Sequence, residues 1–125
     1  MSLVHKHKPS LVEAKSWDEI EYFYIDLISK GWPLGDILSM IHFIKADAQL
    51  SNKLFACTSL DKLIISIYNP IELWREAIHI QYNKEKELWN FRYYPQPHHE
   101  PEHERNYPGN LLFDKFRDFV HILGW

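Results

Sequence analysis

Residues 77–94 read AIHIQYNKEKELWNFRYY, and the way the two halves of this stretch pair decides the fold. Large apolar side chains fall on even positions in the first half (Ile78, Ile80, Tyr82) and on odd positions in the second (Trp89, Phe91, Tyr93). Successive side chains of a strand point to opposite faces, so each set occupies one face of its own strand. A single core accepts both sets only if even positions lie opposite odd ones, and a slip of one residue would turn one set to water. The tightest register that meets this condition pairs Tyr82 with Trp89, Ile80 with Phe91 and Ile78 with Tyr93, with the turn in Lys84-Glu85-Lys86-Glu87. The reverse face then pairs Gln81 with Asn90, His79 with Arg92 and Ala77 with Tyr94. One side of the ribbon is oily. The other is polar, with an imidazole facing a guanidinium at its centre.

Working outward, alternation with β-branched and aromatic enrichment reaches back to residue 54 and predicts strands near 54–59, 62–68, 76–83 and 88–94. Asn69-Pro70 marks the turn between the second and third of these, and Pro95 ends the fourth. Upstream the period becomes helical. Ser16-Trp17-Asp18-Glu19 fits a capping box, Ile20, Phe23, Tyr24, Leu27 and Ile28 follow on one stripe, and Gly31 supplies a left-handed stop, which predicts a helix over 17–30. Pro33 pre-sets a second helix with the stripe Leu34, Ile37, Leu38, Ile41 and Ile44. Near the other end Asn110 can cap a last helix, with Leu112, Phe116, Phe119, Val120 and Leu123 inward and Asp114, Lys115, Arg117 and Asp118 outward. The expected architecture is therefore a single α+β domain over residues 1–125. It has a tail at 1–15, two N-terminal helices, a four-stranded antiparallel meander sheet covered on one face by helices, a Pro/His/Glu-rich loop at 95–110, and a C-terminal helix.

A length of 125 residues suits one domain, and 46% hydrophobic, 15% aromatic and 25% charged residues are globular values. A formal charge of −3 argues against a broad polyanion-binding surface, so nucleic acid is not an expected partner. Apolar runs far shorter than a bilayer span, and an N-terminus without a signal-peptide hydrophobic core, lead us to expect no membrane association and a cytoplasmic location. Cys57 stands alone, which excludes an internal disulfide or a multi-cysteine zinc site, and its neighbours Ala56 and Thr58 suggest a buried filler. No nucleophile elbow and no glycine-rich phosphate loop is present among only four glycines.

His99-Glu100-Pro101-Glu102-His103 is a formal match to the zinc-protease pattern H-E-x-x-H. That chemistry needs both imidazoles on one helical turn, with the glutamate activating a metal-bound water. Pro101 in the middle would cost about 3 kcal/mol or more inside a helix and biases Glu100 away from helical angles. Pro101 therefore argues against the protease reading. A looser metal site at His98, His99 and His103 remains as the alternative, with Glu100, Glu102 and Glu104 nearby. It would take zinc or nickel adventitiously and make the chain a metal-binding protein or metal-dependent hydrolase. Loop flexibility opposes fixed coordination, and no cofactor is expected.

The leading expectation is a small non-enzymatic protein-binding module of inhibitor, immunity or adaptor type. Its contact surface would be the open sheet face (His79, Gln81, Asn90, Arg92, Tyr94) together with the loop at 96–109, since Arg and Tyr are enriched at interfaces and long loops often carry function. Two potential cations facing each other, His79 and Arg92, invite an acidic partner, of which Glu102 or Glu104 could supply an internal version. An exposed sheet edge could also pair across a two-fold axis to give a homodimer. His42 reads as a helix-boundary histidine, and His121 suits a helix C-terminus, where the dipole favours a cation.

Overall fold

The computed structural model describes residues 11–97 and 99–125. In chain order the elements are β1 (Leu11–Val12), α1 (Trp17–Ser29), α2 (Gly35–Ala46), a short α3 (Ala48–Lys53), β2 (Phe55–Ser59), β3 (Lys62–Ser66), β4 (Ile71–Glu72), β5 (Ala77–Asn83), β6 (Leu88–Tyr94), β7 (His103–Tyr107) and α4 (Leu112–Leu123). The fold is α+β, with antiparallel sheets, three helices ahead of the main sheet rather than the two expected, and a closing helix.

The β5–β6 ribbon has the register that parity demands: Tyr82 lies opposite Trp89, Ile80 opposite Phe91, Ile78 opposite Tyr93, and on the reverse face Gln81 opposite Asn90 and His79 opposite Arg92. Its oily side packs with Leu63 and Ile65 of β3 against Ile20 and Tyr24 of α1, Ile37, Ile41 and Ile44 of α2, and Phe116 and Val120 of α4. Burying each such large side chain contributes about 1.5–3 kcal/mol, so this cluster is the main source of stability. The helices start and stop where local chemistry dictates. At Ser16 the Glu19 amide donates to the Ser16 hydroxyl at 3.1 Å and the Ser16 amide donates to the Glu19 carboxylate at 3.3 Å, closing the capping box. Gly31 follows α1 with φ +94°.

The main sheet has five strands in the order β2-β3-β5-β6-β7 rather than four. The additional strand lies inside the stretch expected to be loop, pairing Tyr93 with His103, Phe91 with Arg105 and Trp89 with Tyr107. HERNY carries a single large apolar residue, so no alternation announces it. It forms because β6 would otherwise leave a row of amides and carbonyls unpaired. Charged side chains and flanking prolines at 101 and 108 are what a free sheet edge tolerates. Two further expectations are corrected. Asn110 does not cap α4: it sits in a 3-10 turn, Gly109–Leu111, and the N-cap is Leu111 with no side-chain hydrogen bond. Residues 11–15 are not a free tail, because β1 pairs with β4 and the Lys15 amide donates to the Ala56 carbonyl at 2.9 Å. The 3-10 turn also packs tightly. The Trp89 indole donates to Asp36 of α2 at 3.4 Å, and a β-carbon at Gly109 would lie 1.8 Å from that same carboxylate oxygen.

The reverse face of the sheet is half covered rather than open. The β1–β4 pair and the segment leading to β5 fold back on it and bury a second cluster of Cys57, Ile64, Ile71 and Ala77. Cys57 is the buried filler its neighbours suggested, and burial pushes its thiol pKa up, away from a reactive thiolate.

The β2–β3 turn contains a conformational conflict. Leu60 holds φ +56° while 87% exposed, so its side chain repays little of the left-handed strain. We expect Leu60→Gly to stabilise the fold by about 1 kcal/mol, read as a higher urea midpoint at unchanged slope. A lower midpoint would show that the leucine side chain contributes packing that outweighs the strain.

Candidate functional site

Three paired strands build the uncovered half of the reverse face. Gln81 on β5, Asn90 on β6 and Asn106 on β7 stand in one row, and Arg92 and Glu104 stand opposite each other in the next. Around them the surface forms a concavity of about 470 Å³ whose walls include Asn83 and Lys86 from the β5–β6 hairpin. Asn90 is tied sideways to β7, and Gln81 to the β2–β3 turn. The Asn90 amide donates to Glu104 at 3.1 Å and to Asn106 at 3.2 Å, and the Gln81 amide donates to Asp61 at 3.2 Å.

Arg92 is the most constrained member. Its Nη1 donates to the Tyr94 hydroxyl at 3.2 Å, while Nε is 4.0 Å from the Glu104 carboxylate, beyond hydrogen-bonding reach. That Nε is buried and has no hydrogen-bond partner among the described residues. With side chains 27% and 52% exposed, the Arg92–Glu104 pair is an interaction of the surface type, worth about 1 kcal/mol or less.

Beneath the covered half lies an aromatic cluster. The His79 ring sits 4.8 Å from Trp74 and 4.7 Å from Tyr94, and Trp74 meets Tyr94 edge-on at 5.0 Å. His79 is 1% exposed, and its Nε2 lies 2.6 Å from the Leu73 carbonyl, to which it donates as the neutral tautomer. Burial holds its pKa down to about 4, with Lys62 and Arg92 acting in the same direction and the Leu73 carbonyl opposing them. His79 is therefore neutral near pH 7 and not a second exposed cation. On the same face Lys62 of β3 places its ammonium 5.4 Å over the Trp74 ring.

Of the five residues expected on this face, the structure brings Gln81, Asn90 and Arg92 together in the open half and buries His79 and Tyr94 beneath Trp74. Burial places both below the accessible surface, where the Tyr94 hydroxyl braces the guanidinium. Glu104 does take the carboxylate position opposite Arg92 that the sequence allowed it. Asn106 and Trp74 went unread. Asn106 depended on a strand without apolar alternation, and Trp74 lies in the turn-rich stretch after Asn69-Pro70.

The histidine-rich stretch does not form a helical turn. His103 belongs to β7 with its ring turned toward the helices, 4.7 Å from Phe119 and 5.9 Å from Phe91, and the Tyr107 hydroxyl lies 3.3 Å from its Nε2. Partial burial, and then Arg105, lower its pKa. His99 is exposed on the preceding bend, and the expectation for His98 lies outside the described residues. Among the described residues no group of three or more His, Cys, Asp or Glu side chains is placed to hold a metal ion. His42 pairs with Glu21 across the α1–α2 contact at 2.8 Å, and His121 occupies the last turn of α4. Among the described residues no helix is long and apolar enough to cross a membrane. Compared with protein-family models, with curated proteins and with solved structures, the chain matches none.

Burial of His79 has a consequence for pH. The unfolded chain binds a proton near pH 6.5, whereas the folded chain resists it down to about 4. The stability present above pH 6.5 is therefore lost progressively as pH falls through that window, by about 2 kcal/mol between pH 7 and pH 5. We expect His79→Gln to lack this contribution. Urea denaturation of both proteins at the two pH values measures it, since carboxylate titration is common to both and cancels. An equal loss in wild type and variant would show that His79 does not carry the effect.

Proposed function

We propose that the chain is a small non-enzymatic module that binds a protein partner through the uncovered half of its sheet, in an inhibitor, immunity or adaptor role. One observation carries this reading: a row of carboxamides (Gln81 and Asn90 half-buried, Asn106 exposed) with Arg92 beside it, tied across β6 and β7 by side-chain bonds on the half of the face where none of the described elements packs. Side chains mounted on paired strands and hydrogen-bonded to their neighbours have already lost much of their rotamer freedom. Binding then costs less ordering entropy than it would on a flexible loop. Carboxamides offer both donors and acceptors, and a braced arginine is a frequent anchor of interface energy. An interface of ordinary size covers about 800 Å² on each side, more than the concavity alone, so the β5–β6 hairpin and the loop before β7 would supply its rim.

The test compares the wild-type protein with a folded Gln81→Arg/Asn90→Arg double variant as baits, followed by hydrogen exchange on the recovered complex. The expected outcome is a partner held at least about tenfold more weakly by the variant, with protection concentrated on β5, β6 and β7. Equal recovery by both baits, or protection confined to the helical side, would overturn the reading.

A further inference from the structure

Resting on that reading, we propose that the partner presents an aspartate or glutamate carboxylate, which enters the sheet face between Arg92 and Lys62 and displaces Glu104. Lys62 on β3 and Arg92 on β6 flank β5 on the same face. Among the described residues Lys62 makes no ion pair, and its ammonium rests over the Trp74 ring instead. Arg92 has Glu104 as its sole carboxylate there, and that contact is loose: Nε stands 4.0 Å from the Glu104 oxygen and is otherwise without an acceptor. Glu104 is committed elsewhere, accepting from Asn90 at 3.1 Å, and Asp61 accepts from Gln81 at 3.2 Å. One cation thus has a single poorly placed carboxylate and the other makes no ion pair among the described residues, in a chain whose net charge is −3.

The electrostatics run the same way. Burial, and next the Arg92 guanidinium, lower the Lys62 pKa, with Asp61 pulling in the opposite direction. A second carboxylate between the two cations would relieve that repulsion. Arg92 is also prepared for it. Tyr94 holds Nη1 and is itself packed edge-on against Trp74, so the guanidinium plane is set before any partner arrives. A planar guanidinium fork matches a carboxylate geometrically. Glu104 then acts as a placeholder: it partly neutralises the empty face and leaves when a better-aimed carboxylate enters.

The probe is a blocked acidic tripeptide, acetyl-Asp-Glu-Asp-amide, with acetyl-Asn-Gln-Asn-amide as the neutral control, titrated at low ionic strength and followed by nitrogen-15 NMR. We expect saturable shifts of the Arg92 Nε–H signal and of the backbone amides of Lys62, Gln81 and Arg92 with the acidic peptide alone. Arg92→Gln and Lys62→Gln should each weaken binding by about two- to fivefold, Glu104→Gln should strengthen it by a similar factor, and physiological salt should reduce it. Lys62→Gln provides a readout even if the Arg92 variant folds poorly. Equal shifts from both peptides, no gain with Glu104→Gln, or tighter binding of inorganic phosphate than of the acidic peptide would each overturn the inference. A partner lost with Gln81→Arg/Asn90→Arg but indifferent to Arg92→Gln and Lys62→Gln would remove the carboxylate and leave the open-face reading standing.

Discussion

The pairing of β5 with β6 is the constraint from which the remaining structure follows. Two adjacent strands carry their large apolar side chains on opposite parities, and one core has to receive both. Sheet side chains repeat every two residues, so the registers compatible with that demand are few, and a one-residue slip would expose Trp89, Phe91 and Tyr93 to water. The three longer helices cover the oily side because their own stripes need the same burial. Everything on the reverse face, the row of carboxamides and the opposed His79 and Arg92 included, holds its position as a by-product of that apolar requirement.

The chemistry of the reverse face is then set by how far it is covered. The fold-back of β4 and its flanking residues dries one half and leaves the other wet. His79 and Arg92 lie directly opposite each other, yet they end in different environments. The imidazole is sealed under Trp74 and kept neutral, since desolvation penalises its charged form. The guanidinium stays at the border, with Tyr94 on one side and a loose carboxylate on the other. A charge half desolvated and half satisfied is what makes this border the candidate site.

The histidine-rich stretch shows how a motif and its context can disagree. H-E-x-x-H carries meaning only on a helix, and Pro101 already spoke against one. The structure gives the reason a positive form: β6 needed a neighbour, and residues 103–107 were near enough to pair with it. His103 consequently packs against Phe119 rather than beside His99. No count of apolar residues could have found β7, since an edge strand with one face toward solvent and charges along it needs no alternation. The capping role expected of Asn110 failed similarly, because a 3-10 turn packed on Asp36 takes the place where the helix would have begun.

Local patterning determined three of the four α-helices, four of the five strands of the main sheet, the ribbon register and the aromatics of its oily face. Each depends on a periodicity of 2 or 3.6 residues, or on a cap, that neighbouring residues carry between them. Tertiary structure decided the rest: which half of the reverse face is sealed, that His79 lies beneath Trp74, and that Glu104 reaches Arg92 from a fifth strand. These depend on contacts between segments far apart in the chain, where burial and hydrogen-bond satisfaction are settled by what remains unpaired once the core has formed. Parity says which side of the sheet a residue faces; only the packed chain says whether water reaches it.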